Sequence, residues 1–186
     1  MNFIDTSVAD AFLIEPVAIR DDRGHFARIW CGEEFARQGL PAQMMQINVG
    51  YSLKKGTLRG LHFQAYPHEE CKVVRCTRGR VFDVVADLRP SSVTYGRWFG
   101  VELTPENGLS LCVPEGCAHG YQTLVDESEI SYLTSAPFAS SSARGIHYLD
   151  PKLRISWPLP VSIMSAGDRA WPNLGDRVDD RAFAAT

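Results

Sequence analysis

Proton transfer or metal ligation is the chemistry raised first by the stretch RGLHFQ, residues 59–64. It sets His62 in what otherwise reads as a strand. A buried imidazole needs a partner for each ring nitrogen, so His62 is a satisfied core residue, a metal ligand or a proton-transfer group. Side chains alternate along a strand, which puts Gly60, His62 and Gln64 on one face and Lys72, Val74 and Cys76 on one face of KVVRC. His62 and Lys72 can therefore share a cavity, whereas Arg59 has the opposite parity and reaches it only if the strand begins irregularly or Arg59 lies at its mouth. Asp83 and Asp87 flank Val85 on one face of VFDVVADL, and a carboxylate turned into a barrel requires a partner. His119 in VPEGCAHGY and Tyr132 in EISYLT can also face inward. A lone strand histidine or tyrosine is more often structural, so the reading rests on the set. Ligation would draw on His62, Gln64, Glu69 or Glu70, and His119. Metal sites of that kind want two closely spaced histidines with a carboxylate, and Gln64 stands in the second histidine's place.

To position such residues the chain offers short runs rich in Val, Ile, Phe, Tyr and Thr between turn signals. Strands are expected over 12–18, 27–30, 43–52, 57–64, 72–77 and 80–88, then over 98–103, 109–113, 120–124, 129–133 and 145–148. DDRG, KKG, TRGR, RPSS, PENG and VPEGC supply the turns. One short helix is expected over 33–38, stopped by Gly39 and Pro41. The pattern predicts a mainly β fold, a jelly-roll or cupin-like antiparallel barrel with a few short helices, whose interior can hold a small ligand. After Asp150 the pattern loosens into a Pro-rich segment expected to pack over the barrel. Residues 1–186 are read as one domain.

Lys and Arg total 19 against 22 Asp and Glu, for a net charge of −3, which excludes a strong field for nucleic acid. The opening MNFIDTSVADAF has no basic stretch followed by an apolar run, and nothing downstream approaches a membrane span. A cytoplasmic protein is expected. Cys31, Cys71, Cys76, Cys112 and Cys117 form an odd set, read as reduced thiols. A zinc site from the two C-x4-C pairs is disfavoured, because CKVVRC points its cysteines to opposite faces.

In this order and spacing, RGLHFQ, KVVRCTRGRVFDVVADLR, VPEGCAHGYQTL, Tyr132, DPKLRISWPL and SAGD strongly resemble the dTDP-4-dehydrorhamnose 3,5-epimerase family, over about residues 16–172. The resemblance implies a homodimer of cupin-like subunits and a nucleotide-diphospho-4-keto-6-deoxy sugar, dTDP-linked, as substrate. It implies a place in deoxysugar (rhamnose-like) biosynthesis and no metal or organic cofactor. A 4-ketone acidifies the hydrogens on C3 and C5, and inverting either centre needs a base on one face, an acid on the other and a cation near the enolate oxygen. By resemblance His62 is the base, Asp168 of SAGD its paired carboxylate and Tyr132 the acid. Lys72 stands near the ketone oxygen, with a plain salt bridge to Asp83 as the alternative. His119 and Arg59 match substrate-contacting positions, Arg59 as a diphosphate clamp. Arg23, Phe26, Gln46 and Asn48 match the nucleotide-binding edge, part of it lent by the partner subunit, and Phe138 takes the place of a base-stacking tyrosine.

Four positions depart from the family pattern. Arg28 and Ala143 replace glutamates, Phe138 replaces the tyrosine, and Gly167 replaces a lysine. All belong to nucleotide or phosphate recognition, so the reaction class is better supported than the base, the sugar or the choice between C3 and C5. Phe138 can still stack, since stacking needs only the ring face. The rivals are a metal-dependent cupin enzyme and a non-catalytic nucleotide-sugar-binding protein. The joint presence of His62, Tyr132 and Asp168 argues against the second.

Overall fold

Gly, Pro, Asn and Asp punctuate the chain into short strands, and the computed structural model, which describes residues 1–176, assembles them into two facing antiparallel sheets and a hairpin. In chain order the elements are β1 (Asn2–Asp5), β2 (Phe12–Glu15), β3 (Ala18–Asp21), β4 (Gly24–Ala27), α1 (Gly32–Arg37), β5 (Gln46–Ser52), β6 (Leu58–Gln64) and β7 (Lys72–Arg78). There follow β8 (Val81–Asp87), β9 (Trp98–Leu103), β10 (Ser110–Val113), β11 (Cys117–Thr123), β12 (Ser128–Thr134), β13 (Ala143–Gly145), α2 (Ala166–Arg169) and a 3-10 turn, Leu174–Asp176. One sheet runs β1-β2-β10-β7-β12-β5, the other β13-β6-β11-β8-β9, and β3 pairs with β4. This is the mainly β, cupin-like architecture expected.

Alternation decides which side chains fill the space between the sheets. Val74 and Cys76 of β7, Leu111 and Val113 of β10, and Ile130 of β12 meet Val81 and Val85 of β8 and Tyr121 of β11. On the outer face of the smaller sheet, Leu61, Phe63, Val84, Ala86 and Ala118 are covered by Ile146, Leu153, Ile155 and Leu174, so the segment after Asp150 packs there. Phe35 of α1 covers part of the larger sheet with Ile14, Val73 and Cys112. All five cysteines are free. Burial pushes the Cys117 thiol up to about 12 and the Cys76 thiol up to about 11, consistent with inert core thiols.

Several element boundaries differ from expectation. The run expected over 12–18 breaks at Pro16, which has no N–H to give a ladder, leaving β2 and β3 as separate strands. The strand expected over 27–30 lies instead at 24–27, because DDRG closes the β3–β4 hairpin and the chain enters α1 soon after. β13 ends at Gly145, although Ile146 still exchanges backbone hydrogen bonds with Leu61. β1 and α2 were not expected. No helix among the described residues is long and apolar enough to cross a membrane.

Candidate active site

Strand register brings the expected residues together by rows. In the larger sheet Lys72, Thr134 and Gln46 lie opposite one another across β7, β12 and β5, and Val74, Tyr132 and Asn48 form the next row. In the smaller sheet Gly145, His62, His119 and Val85 form one row across β13, β6, β11 and β8. Between the sheets lies a cavity of about 510 Å³ whose lining includes Gln46, Asn48, His62, Lys72, Tyr132 and Phe138. His62 therefore enters from one sheet and Tyr132 and Lys72 from the other.

The parity problem of Arg59 is resolved by a bulge. His119 pairs with His62 but Tyr121 pairs with Arg59, so β6 advances three residues while β11 advances two. The extra residue returns Arg59 to the face of His62 and removes Gly60 from simple alternation with His62 and Gln64. Gly60 carries a φ of +123°, and a Cβ there would stand 2.6 Å from the Gly120 Cα and 2.8 Å from the His119 carbonyl oxygen. Only glycine fits. Arg59 then reaches across to β5, donating from Nε to the Ser52 hydroxyl at 3.2 Å and from Nη2 to the Tyr51 carbonyl at 3.0 Å.

His62 Nε2 lies 2.6 Å from the Asp168 carboxylate. Asp168 sits in α2, where Ser165 caps the helix by accepting the Asp168 N–H at 3.0 Å. The spacing S-x-x-D in SAGD is the signal that could have foretold this turn. Burial raises the Asp168 pKa, but the hydrogen bond and charge of His62, the Gly60 N–H and Ser165 outweigh it and hold the carboxyl below its ordinary value. Oriented by a carboxylate at Nε2, the imidazole keeps Nδ1 for chemistry.

Lys72 is paired with Glu70, Nζ to Oε1 at 2.9 Å, with both side chains largely buried. The alternative bridge to Asp83 is not formed. Asp83, fully buried on β8, bonds instead to His119 Nε2 at 2.8 Å, because it belongs to the sheet opposite Lys72 and lies beside the His119 strand. Asp87 finds its partners in Arg89, Ser92 and Thr94, away from the cavity lining. Tyr132 is half-buried; burial and the negative Glu70 raise its pKa against the opposing pull of Arg59, keeping the phenol neutral and able to donate.

Gln64 is a structural clamp. Its amide donates to the carbonyls of His68 and Pro137 and accepts the Ala139 N–H at 2.6 Å, while Gln46 accepts the Phe138 N–H at 3.1 Å. Together they hold Phe138 at the cavity mouth. Among the described residues no group of three or more His, Cys, Asp or Glu side chains could hold a metal ion; His62, His119 and Glu70 are each engaged with a different partner.

Arg23 and Phe26 are not brought to this cavity. They sit on the exposed β3–β4 hairpin, Arg23 folded onto Asp21 at 2.6 Å and Phe26 lining a separate depression. Of the departing positions, Arg28 pairs with Glu34 at 3.1 Å, Ala143 lines the cavity and Gly167 lies in α2. Sequence reasoning did not single out the Lys72 partner Glu70 as such, nor Trp171 and Arg144, which also line the cavity.

A two-sheet antiparallel fold enclosing a cavity with an imidazole–carboxylate pair on one wall and a phenol and an ammonium on the other is the architecture of a cupin-like enzyme. The family model described as dTDP-4-dehydrorhamnose 3,5-epimerase matches residues 5–176. A dTDP-4-dehydrorhamnose 3,5-epimerase of Sinorhizobium fredii is 41% identical over 175 residues, 94% of this chain and 90% of the relative. The crystal structure of the enzyme of that name from Elizabethkingia anophelis superposes with a TM-score of 0.92 at 36% identity, covering 95% of this chain and 98% of that one. An epimerase from Legionella pneumophila in complex with dTDP-4-keto-L-rhamnose gives a TM-score of 0.89 at 35% identity, covering 97% and 96%. The chain belongs to the dTDP-4-dehydrorhamnose 3,5-epimerase family, a family of isomerases.

Proposed function

We propose that this protein inverts C3, C5 or both in a dTDP-linked 4-keto-6-deoxy sugar during deoxysugar biosynthesis, by removing and returning a proton next to the 4-ketone. The observation that carries the reading is the arrangement of His62, backed by Asp168 of α2, on one sheet and Tyr132 on the other, with the cavity between them. A proton taken and returned by one group leaves configuration unchanged; two groups on opposite faces of the sugar invert it. In this reading His62 is the base, and Asp168 holds its tautomer and stabilises the imidazolium. Lys72 stands at the ketone oxygen, where charge develops, and Tyr132 returns the proton. The His119–Asp83 pair and Arg59 contact the sugar and diphosphate, while Gln46, Asn48 and Phe138 take the nucleotide.

Two identical subunits complete the site. The apolar outer face of the edge strand β5, with Ile47 and Val49 exposed, supports a second copy as its cover. The exposed hairpin supplies Arg23 and Phe26 to that copy's nucleotide. Five free thiols suit a reducing, cytoplasmic setting.

Incubating the protein with the dTDP-4-keto-6-deoxy sugar in D2O and mapping deuterium by NMR tests the reading. Wild type is expected to exchange and invert C3, C5 or both. Tyr132→Phe is expected to keep wash-in with retention while epimer formation falls sharply. Undiminished inversion in that variant removes Tyr132 from the role of acid, and no wash-in by wild type removes the proposal.

A further inference from the structure

Trp171 has no role in the reading above, yet it forms the wall beside the base. Gly145 of β13 stands directly opposite His62, and a Cβ at Gly145 would meet Cδ2, Cε2 and Nε1 of the Trp171 indole at 2.4, 2.4 and 2.5 Å. The side chain missing at 145 is thus replaced, on the face His62 occupies, by a ring delivered from a segment three residues beyond Asp168. That ring meets the His62 imidazole edge to face, with centroids 6.3 Å apart and planes at 73°. Its Nε1 is buried and without a hydrogen-bond partner among the described residues. The indole therefore turns carbon, not its donor, toward the cavity.

A base must come within about 3 Å of the atom whose proton it removes, and in a hexose C6 is bonded directly to C5. With C5 at His62, the C6 substituent comes within reach of the groups that flank the imidazole, its neighbours in the row among them. On one side these are His119 and the Asp83 carboxylate it binds, on the other the indole. A hydroxyl pressed against the indole would lose its water without gaining a partner, whereas a methyl group loses nothing.

We infer that Trp171 is a specificity-determining residue: seated on Gly145, its indole receives the C6 substituent of the sugar and selects methyl over hydroxymethyl. The inference rests on the epimerase reading and names which part of the substrate this wall reads. An apolar wall discriminates against an added hydroxyl by roughly 10- to 100-fold, which sets the size of the effect.

The test compares two nucleoside-diphosphate 4-keto sugars, one with a C6 methyl and one with a C6 hydroxymethyl group, by the initial rate of deuterium wash-in at low substrate concentration. Wild type is expected to favour the methyl sugar by roughly 10- to 100-fold. Trp171→Phe should keep most of that preference, and Trp171→Ala, which admits water to the wall, should lower it to within about threefold. A preference equal in wild type and Trp171→Ala overturns the inference while leaving the epimerase reading intact. Absence of exchange by wild type on both sugars overturns both. Should Trp171→Ala not fold, Gly145→Ala unseats the same ring without removing it. The lost preference is then expected there, accompanied by a shift in indole fluorescence, and a shifted fluorescence with unchanged preference overturns the inference.

Discussion

Asp168 and His62 meet at 2.6 Å, and the identity of the atom on the carboxylate side decides which imidazole nitrogen is free to act. An amide at 168 can present an N–H where Nε2 needs an acceptor, so Asp168→Asn is expected to fold yet to lose more than about tenfold in turnover, about 1.4 kcal/mol. Steady-state kinetics check this, and a smaller loss removes Asp168 from its role. The carboxyl is held below its ordinary value by His62, Gly60 and Ser165 despite burial. A group with a depressed folded pKa stabilises the protein above its unfolded pKa, about 3.9 for Asp, and ceases to do so as pH falls through the folded value. The difference in urea midpoint between wild type and Asp168→Asn is therefore expected to be full at neutral pH and to shrink below about pH 4. That His62 and Lys72 face one cavity was legible in the sequence because parity along a strand is a local property, whereas Tyr132 and Asp168 were picked out by the family resemblance. The partner of Lys72 was not legible, because Glu70 lies in the connection before β7, where alternation says nothing about direction.

The bulge at Gly60 is the element on which the phase of β6 turns. Without it Arg59 and His62 would face opposite sides of the sheet. Gly60→Ala would thrust a Cβ against the backbone of Gly120 and His119, atoms that cannot rotate away, at a φ that L residues rarely adopt. It is expected to cost at least about 2 kcal/mol of stability, read as a lowered urea midpoint, and to weaken nucleotide binding through Arg59. An unchanged midpoint would refute the close approach. The irregularity could be suspected from the mismatch between Arg59 and His62, but its position could not be read, since it depends on a contact with a strand 60 residues away. The β strands themselves were legible wherever branched residues alternated between turn signals. β1 was missed because NFID is too short to show a period, and the split at Pro16 was misread by joining two strands across a residue that cannot donate.

At the scale of the molecule, the outer surface of β5 carries Ile47 at 72% and Val49 at 63% exposure beside an unpaired edge, a surface that a soluble chain ordinarily covers. Ile47→Asp is expected to give monomers in sedimentation equilibrium and to weaken nucleotide binding as the neighbour's Arg23 and Phe26 are lost. A wild type that is itself monomeric, or a variant that still dimerises, would remove the second copy from the site. In the proposed mechanism the base His62 and the acid Tyr132 belong to different sheets, and Val74, Val85, Leu111 and Ile130 are the packing that holds those sheets apart. Sandwich layers sit about 10 Å from one another, a spacing set by side-chain volume far from any reacting atom. Stereochemical fidelity is thereby a mechanical property of the apolar core. A molecule whose layers were loosened would go on exchanging hydrogen at His62 while the returning proton came ever less often from the far side, so that handedness would fail before reactivity did.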